Sequence, residues 1–451
     1  MHRTRLSVGS VLALTVSAGI ASAGPPLFSN TLGTPGFSGS YVASFAVHDD
    51  GSGEALYATG QFTATGAAGT TNLARWNGAA WEGVGGGLPG QYSNALTTYQ
   101  GDLIAGGYFD SAGGVPGTAK LARWDGTQWN SMDAQSDSFL NSIWDLTVWD
   151  DGNGEKLYIA GNYLDLGGVG GPDHLASWDG STYAPLGAPI GGAVPLIVLD
   201  IQVADLGDGE KLYAGGRFLN IDGIPANNIA VWDGSSWSAM GSGVTRPSGI
   251  SQVLTMTVFD DGSGDALYVG GRFETAGGVP ASRIAKWDGS SWSAVGAGFN
   301  SDVQELTVFD DGSGPALYAS GNFEAANGGI DHIAKWNGSS WEQVGSGANA
   351  NVFGAIVYDA GEGPALHFAG SFTQAGGLAT NRVVSLLAQG DPGCNAADNS
   401  EPFGVLDLSD VQGFVAAFIG QQAPADIAPP AGVWDLADVQ AFVAAFTAGC
   451  P

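Results

Sequence analysis

The chain has 451 residues, and its 44 acidic side chains outnumber 14 basic ones, giving a formal net charge of −30. Such a field repels nucleic acid and anionic lipid, so the composition excludes a nucleic-acid-binding role. Glycine supplies 74 residues, about twice the usual ~7% share, while 44% of the chain is apolar, which is typical of many short strands and tight turns.

Residues 1–23 predict a secretory signal peptide. Arg3 and Arg5 precede an apolar run over residues 6–20, and Ala21-Ser22-Ala23 follows, which is the order of such peptides. A membrane anchor is the alternative, but the run is shorter than the ~20 apolar residues of a spanning helix. We therefore expect a secreted or cell-surface protein with no transmembrane segment after the signal is removed.

A repeat of about 50 residues fills the next part of the chain. Its clearest mark is a Trp followed by Asp or Asn and then Gly. A seventh copy, at Val383-Val384-Ser385, has lost the Trp. The six intact copies begin at Trp76, Trp124, Trp178, Trp232, Trp287 and Trp336.

Each repeat predicts four short antiparallel strands. In the fifth copy, alternating apolar residues and turn residues place them at 253–259, 266–273, 283–287 and 292–295, with a loop at 276–280. A sheet this small buries its faces only against neighbours, and a radial array achieves that. The sequence thus predicts an all-β, seven-bladed β-propeller of four-stranded blades over residues 24–390.

The last repeat breaks at Asp391-Pro392 before a fourth strand can form. Residues 27–33, which precede the first repeat, are similar to residues 291–296 around the fourth strand of the fifth copy. We therefore expect this N-terminal segment to complete the last blade.

The repeats resemble the kelch class of propeller. Tyr268-Val269-Gly270-Gly271 matches the apolar-apolar-Gly-Gly pattern, and Trp287-Asp288 with Trp292 matches the aromatic pair, although the two aromatics are five positions apart, closer than in kelch repeats. The resemblance implies the fold and a general binding role, and it carries no substrate.

Arg217 and Arg272 are the candidate ligand-binding residues of this region. They occupy equivalent places in adjacent repeats, just before the connection between the second and third strands, and an acidic group is the chemistry they suit. Loops at one end of a rigid scaffold commonly carry binding residues. Salt bridges between blades are the alternative and the favoured interpretation.

Two other repeated features favour architecture over ligand binding. The pair Trp287 and Trp292 is placed to meet across a hairpin, with carbohydrate stacking as the alternative. Asp260 and Asp261 lie in a turn that also suits weak calcium binding, but the second repeat replaces that turn with 100–102.

A catalytic role finds little support in the sequence. No metal-ligand spacing, nucleophile elbow or phosphate loop is present. Paired carboxylates of a glycosidase remain open among 44 acidic residues. We therefore expect a protein that is not an enzyme, with a carbohydrate-active enzyme as the weakest alternative.

The C-terminal residues 391–451 contain two copies of an acidic loop followed by an amphipathic helix. Val411, Phe414, Val415 and Phe418 have helical spacing, and residues 439–446 repeat it. Cys394 and Cys450 bracket this segment, and in an exported protein they predict a disulfide, with free thiols or a metal site as alternatives.

This segment resembles a dockerin bounded by Gly-Cys at both ends, Gly393-Cys394 and Gly449-Cys450. The resemblance implies a small α-helical domain, Ca²⁺ binding, more so in the first loop, and attachment to a cohesin-type or other surface receptor. The early loop positions depart from the family, since Phe403 and Pro429 offer no side-chain oxygen; a metal-independent module is the alternative. The implied ligands are Asp398, Glu401, Asp407 and Asp410 in the first loop and Asp426, Asp435 and Asp438 in the second.

The sequence as a whole predicts a secreted or cell-surface binding propeller. Its ligand is an unidentified protein or glycan, and its C-terminal module acts as a docking device. The alternative from a different class is a structural protein of the cell envelope without a small ligand.

Overall fold

The computed structural model describes residues 27–64, 71–134, 142–168, 174–187, 190–192, 196–324, 331–361 and 363–388. These residues form an almost entirely β structure, with one short 3-10 turn at Leu166–Gly168. The predicted signal peptide and the dockerin-like segment, with its cysteines and its implied calcium ligands, lie outside the described residues.

Seven four-stranded antiparallel sheets recur along the described part of the chain, numbered 1 to 7 by their first strands. In sheets 1 to 6 the four strands follow one another in sequence. Sheets 1 to 3 consist of Phe37–Asp49, Glu54–Ala64, Thr71–Trp76 and Trp81–Gly83; Gly90–Tyr99, Asp102–Phe109, Leu121–Trp124 and Trp129–Ser131; and Ile143–Asp150, Glu155–Gly161, Leu175–Trp178 and Tyr183–Pro185. Sheets 4 to 6 consist of Ile197–Asp205, Glu210–Arg217, Ile229–Trp232 and Trp237–Ala239; Gln252–Asp260, Asp265–Arg272, Ile284–Trp287 and Trp292–Ala294; and Val303–Asp310, Pro315–Gly321, Ile333–Trp336 and Trp341–Gln343.

Sheet 7 joins the two ends of the described chain. Its first three strands are Val352–Asp359, Pro364–Gly370 and Val383–Leu387, and its fourth is the N-terminal strand Leu27–Ser29. Phe28 lies opposite Leu386 in the register. The Phe28 side chain packs against the apolar cluster that contains the buried Phe372.

The strand boundaries predicted for the fifth repeat agree with sheet 5 to within one residue at every end. The predicted loop at 276–280 is wrong, because two short strands, Thr275–Ala276 and Val279–Pro280, pair with each other there, and Thr275–Ala276 also pairs with Val244–Thr245. Equivalent connections hold the pairs Asn220–Ile221 with Ile224–Pro225 and Gln374–Ala375 with Leu378–Ala379. Pairing gives the backbone groups of these connections hydrogen-bond partners within the protein.

Seven clusters of buried apolar side chains hold the sheets together. Six of the clusters each draw their residues from two consecutive sheets. The remaining cluster combines Phe37 and Phe62 of sheet 1 with Ala369 and Val383 of sheet 7. The packing order therefore runs from sheet 1 to sheet 7 and returns to sheet 1.

The repeated Trp pairs serve this packing. Trp287 and Trp292 face each other across the hairpin with ring centroids 5.2 Å apart, and both are buried. The Nε1 of Trp292 donates a 2.8 Å hydrogen bond to the carbonyl of Met240, which follows the fourth strand of the preceding sheet. Burial of both rings and this bond favour the structural interpretation of the pair over carbohydrate stacking.

The Gly-Gly endings of the second strands permit the sheets to approach one another. A Cβ atom on Gly270 would lie 2.7 Å from the Val303 side chain of the next sheet, and one on Gly271 would lie 2.4 Å from the Gln252 carbonyl oxygen. Cβ atoms do not come this close to other atoms in real structures. A larger residue at Gly270 would therefore push sheets 5 and 6 apart, and one at Gly271 would push the first two strands of sheet 5 apart.

A residue with left-handed backbone lies before or at the start of the third strand in every sheet. Non-glycine residues rarely adopt positive φ, so the shared geometry is a property of the fold. It explains why His174 and His332 fall at matching places in the sequence. The seven residues are Asn72, Lys120, His174, Asn228, Arg283, His332 and Arg382.

Candidate binding site

Every first strand contains a β-bulge at the same point of its pairing with the second strand. The register skips one residue there, so two residues of the first strand oppose one of the second. A bulge bends the strand and re-aims side chains. The skipped residues are Ala43, Asn94, Trp144, Leu199, Leu254, Gln304 and Phe353.

All seven of these residues line one cavity of about 400 Å³, which we call the shared cavity. Its other lining residues, among them Tyr41, Asp145, Asp200 and Glu305, come from the same first strands. The volume lies within the range of small-molecule sites, roughly 300–1,000 Å³. The shared cavity is therefore the candidate binding site.

One part of the lining is aromatic. Tyr41 of sheet 1 meets Phe353 of sheet 7 edge to face, with ring centroids 5.4 Å apart. The ring centroids of Trp144 in sheet 3 and Tyr92 in sheet 2 are 6.1 Å apart. Burial raises the pKa of Tyr41 to about 12, so its hydroxyl remains protonated over the physiological pH range.

Another part of the lining is acidic. Asp145, Asp200 and Glu305 each follow a bulge residue and face one another closely enough to interact. Burial, followed by repulsion from the Asp145 carboxylate, raises the pKa of Glu305 to about 8. Burial also raises the pKa of Asp145 and of Asp200, and in Asp200 the other two carboxylates add to the effect. Near neutral pH the cluster therefore retains protons that ordinary carboxyl groups have lost.

The residues that directly follow the bulge also connect neighbouring sheets. Asp145 Oδ2 accepts a 2.8 Å hydrogen bond from the Ile201 amide of sheet 4. Thr255 Oγ1 accepts one of 3.2 Å from the Leu306 amide of sheet 6. The Met256 amide of sheet 5 donates to Asp200. Each acceptor thus joins its own sheet to the next one.

Three buried polar atoms of the lining have no hydrogen-bond partner among the described residues. They are Oδ2 of Asp200, Nδ2 of Asn94 and Nε1 of Trp144. Buried polar atoms nearly always have a partner, in the protein or in ordered water. The shared cavity thus offers one acceptor and two donors to whatever occupies it.

The structure brings Arg217 and Arg272 close together, at the ends of the second strands of sheets 4 and 5. Arg217 lies opposite Ile197, and Arg272 lies opposite Gln252. These two partners on the first strands come two residues before the bulge residues Leu199 and Leu254. Burial, with the positive charge of Arg272 nearby, lowers the pKa of Arg217. The two predicted ligand residues therefore lie near the cavity and outside its lining.

Arg272 is engaged in an ion pair between two sheets. Its Nε donates a 2.8 Å hydrogen bond to Oδ2 of Asp302, a buried residue directly before the first strand of sheet 6. Arg283 lies 3.9 Å from the other oxygen of the same carboxylate. This contact matches the inter-blade salt bridge that the sequence offered as the alternative to ligand binding.

The acidic turns use their carboxylates internally. Oδ1 of Asp260 accepts 2.8 Å hydrogen bonds from the amides of Gly262 and Gly264. Oδ2 of Asp261 accepts one from Tyr268 and one from Lys286. Within the described ranges, no set of three or more His, Cys, Asp or Glu side chains is arranged to hold a metal ion.

The carboxylate cluster was not predicted from the sequence. The signal that could have revealed it is the variation among repeats at the position after the bulge. Most copies have a small residue there, and three have a carboxylate. Only an alignment of the seven first strands makes that variation visible. The residues are Ser44, Ala95, Asp145, Asp200, Thr255, Glu305 and Gly354.

No protein-family model matches the chain. No curated protein matches it either. Among solved structures, it is similar to the extracellular domain of a one-component system from B. thetaiotaomicron, with a TM-score of 0.44 and 9% identity over 77% of this chain. A second structure, the extracellular domain of a hybrid two-component system from the same organism, gives a TM-score of 0.48 and 10% identity over 80% of this chain. The chain spans 39% of the length of each of these structures.

In the part of the chain that the structure describes, no helix has the length and apolar character needed to cross a membrane.

Proposed function

We propose that the protein is exported and acts as a binding protein: a closed seven-bladed propeller whose shared cavity holds a small ligand, with a dockerin-like module for attachment. The cavity carries this proposal. Its lining comes from the first strands of all seven sheets, and it contains three buried polar atoms without partners among the described residues. A cavity of this volume with polar groups in its lining offers room and hydrogen-bonding atoms to a small molecule.

Closure of the propeller is supported by contacts that repeat between the last and first sheets. In sheet 1, Trp81 Nε1 donates a 2.8 Å hydrogen bond to the carbonyl of Leu32, which follows the fourth strand of sheet 7. This bond is equivalent to that of Trp292 with Met240. Arg382 adds a 2.8 Å bond from sheet 7 to the Gly39 carbonyl of sheet 1. The junction between sheets 7 and 1 thus uses the same kind of bond that joins sheets 3 and 4, 4 and 5, and 5 and 6.

The binding function is tested by filling the cavity. Leu254→Trp adds bulk to the lining, and the matched control Leu219→Trp adds it at an exposed surface position. A thermal-shift screen of glycans, amino acids, amines and organic acids should yield a ligand that raises the melting temperature of the wild type and of Leu219→Trp but not of Leu254→Trp. If no class of compound gives this pattern, the structural cell-envelope protein becomes the better description.

Attachment through residues 391–451 rests on the sequence alone. We expect the full chain to remain with the cell envelope and a chain ending at Gln389 to be released into the medium, measured by fractionation with and without a calcium chelator. Release by chelator would support the Ca²⁺-dependent form of the module. Equal retention of both chains would contradict the docking role.

Glycoside hydrolysis is the second candidate, because the structure supplies carboxyl groups that remain protonated near neutral pH beside other carboxyl groups. Such pairs serve as acid and nucleophile or base in glycosidases. Both oxygens of Asp145 already accept backbone hydrogen bonds, which favours binding over catalysis. Release of nitrophenol from a panel of aryl glycosides by the wild type, abolished in Asp200→Asn, would instead establish the enzyme.

A further inference from the structure

The lining of the shared cavity combines carboxyl groups with aromatic rings and lacks a compensating cation. No Lys, Arg or His is among the described residues that line it. We propose that the ligand is a small organic cation carrying an ammonium group, an inference that rests on the proposed binding function.

Charge is the first argument. Three carboxyl groups share the cavity; Asp145 and Glu305 disfavour ionisation of Asp200, and Asp145 disfavours ionisation of Glu305. Bringing uncompensated charge together in a buried site is costly, and a partner of opposite sign removes that cost. A bound ammonium group would let the carboxyl groups ionise, so the lining favours a cation over a neutral or anionic occupant.

The aromatic rings are the second argument. Tyr41, Trp144 and Phe353 line the same space as the carboxyl groups. The negative face of an aromatic ring attracts a cation, by about 2 kcal/mol or more when both are desolvated. A hydrated metal ion would gain little from these rings or from Leu199 and Leu254, whereas the carbon atoms of an organic cation would pack against them.

The unpartnered atoms define what the ligand must offer. Oδ2 of Asp200 needs a hydrogen-bond donor, which an ammonium N–H supplies. Nδ2 of Asn94 and Nε1 of Trp144 need an acceptor, such as a hydroxyl or carbonyl oxygen. The geometry thus favours a ligand that carries both an ammonium group and an oxygen atom.

Binding should depend on pH in a defined direction. The titratable groups of the lining are Asp145, Asp200, Glu305 and Tyr41. Arg217 and Arg272 lie outside it, and Arg272 is paired with Asp302. Because the carboxyl groups are partly protonated near neutral pH, uptake of a cation should release protons, and affinity should rise as the pH increases from about 6 to 8.

The experiment is calorimetric titration of the purified full-length protein with two pairs of probes. Benzylammonium is compared with benzyl alcohol, and choline with its uncharged carbon analogue 3,3-dimethylbutanol. Choline keeps its charge at every pH, so its pH dependence reports on the protein alone. We expect the charged member of at least one pair to bind about tenfold or more tightly than its neutral partner.

Three variants assign the effect to the cavity. Asp200→Asn and Glu305→Gln keep the side-chain size and should weaken binding of the charged probe about tenfold or more. Asp208→Asn removes an acid from an exposed turn and should leave the affinity unchanged. Melting temperatures of all three confirm that they fold, and the two cavity variants check each other if one does not.

The outcomes separate this inference from the proposed function. If neutral probes bind as tightly as charged ones, or if CaCl₂ alone competes for the site, the organic-cation assignment is wrong. If neither pair binds but the broad screen finds a neutral ligand that Leu254→Trp loses, the cavity is a binding site for another class of molecule. If no compound binds, both proposals fail.

Discussion

The two edges of the seven sheets follow opposite rules. At the outer edge, the fourth strands repeat one solution: a Trp that faces a second Trp across a hairpin in sheets 1, 2, 4, 5 and 6. At the inner edge, the first strands repeat only the bulge. The residue after it is small in most sheets and carboxylic in Asp145, Asp200 and Glu305.

This difference separates architecture from function. Trp81, Trp237 and Trp292 each donate to a backbone carbonyl next to the preceding sheet, so these rings join consecutive sheets. At the inner edge, Asp200 retains a buried oxygen without a partner among the described residues. We infer that repetition within the chain maintains the fold, and that departures from it create the site.

The strongest test of the outer edge is Trp292→Ala, which removes a buried ring and its bond to the Met240 carbonyl. We expect the free energy of unfolding to fall by about 3–5 kcal/mol, because truncation of a buried Trp leaves a large cavity. Urea denaturation measures the change, with the exposed Ser293→Ala as control. A loss below about 1 kcal/mol would show that the outer edge does not hold the sheets together.

The inner edge is tested by Glu305→Gln, which should stabilise the protein at pH 8. Burial raises the pKa of Glu305 to about 8, so the folded protein holds a proton that the unfolded chain has released, and stability falls as the pH rises from about 4.5 to 8. We expect a gain of about 1–3 kcal/mol at pH 8 and none below the unfolded pKa, near pH 4. Denaturation curves at both pH values measure it.

The opposite result for Glu305→Gln would be a loss of stability at pH 8. That result would mean that the carboxylate is ionised and stabilising in the folded protein, and the contrast between the two edges would disappear.

Arg272→Gln addresses the region between the two edges and should have a smaller effect. The pair with Asp302 joins sheets 5 and 6, but Arg272 is partly exposed and Arg283 remains close to the same carboxylate. We expect a loss of about 1 kcal/mol that shrinks in high salt. Arg246→Gln, which breaks the pair with Glu274, is the matched control. If Arg272→Gln instead abolished ligand binding with stability unchanged, its assignment as a structural residue would be wrong.

The smallest effect is expected for Asp288→Ala in an outer turn. Hydrogen bonds from Ser290 and Ser291 hold the pKa of Asp288 below its usual range. The turn is exposed, so water replaces the lost acceptor, and we expect a loss of about 0.5 kcal/mol in urea denaturation. A loss as large as that of Trp292→Ala would show that the turns contribute as much as the Trp rings to the stability of the outer edge.

Much of the fold was predictable because its determinants are local. In the fifth repeat the alternation of apolar residues and the Asp-Gly turns placed all four strands correctly to within a residue. The role of the Trp pair also followed from its hairpin spacing. The short strands at Thr275–Ala276 and Val279–Pro280 were missed because one of their pairing partners, Val244–Thr245, lies in the preceding connection.

The candidate site was predicted less well. Arg217 and Arg272 were chosen for their rarity in an acidic chain, and the structure places them outside the lining. Asp145 and Asp200 are separated by 55 residues and looked like two acids among many. Burial raises both pKa values, and the charge of Asp145 raises that of Asp200 further; neither effect is encoded by the residues that flank them.

The sequence by itself determined the local units: four strands per repeat, their turns, and the Trp pairs that close each hairpin. Those features depend on contacts between residues a few positions apart, so a period and a turn motif are sufficient evidence for them. Tertiary structure alone decided which side chains share the cavity, because the first strands of all seven sheets converge there. It also decided the protonation of Asp145, Asp200 and Glu305, since a carboxyl pKa responds to the charges and the solvent that surround it in space.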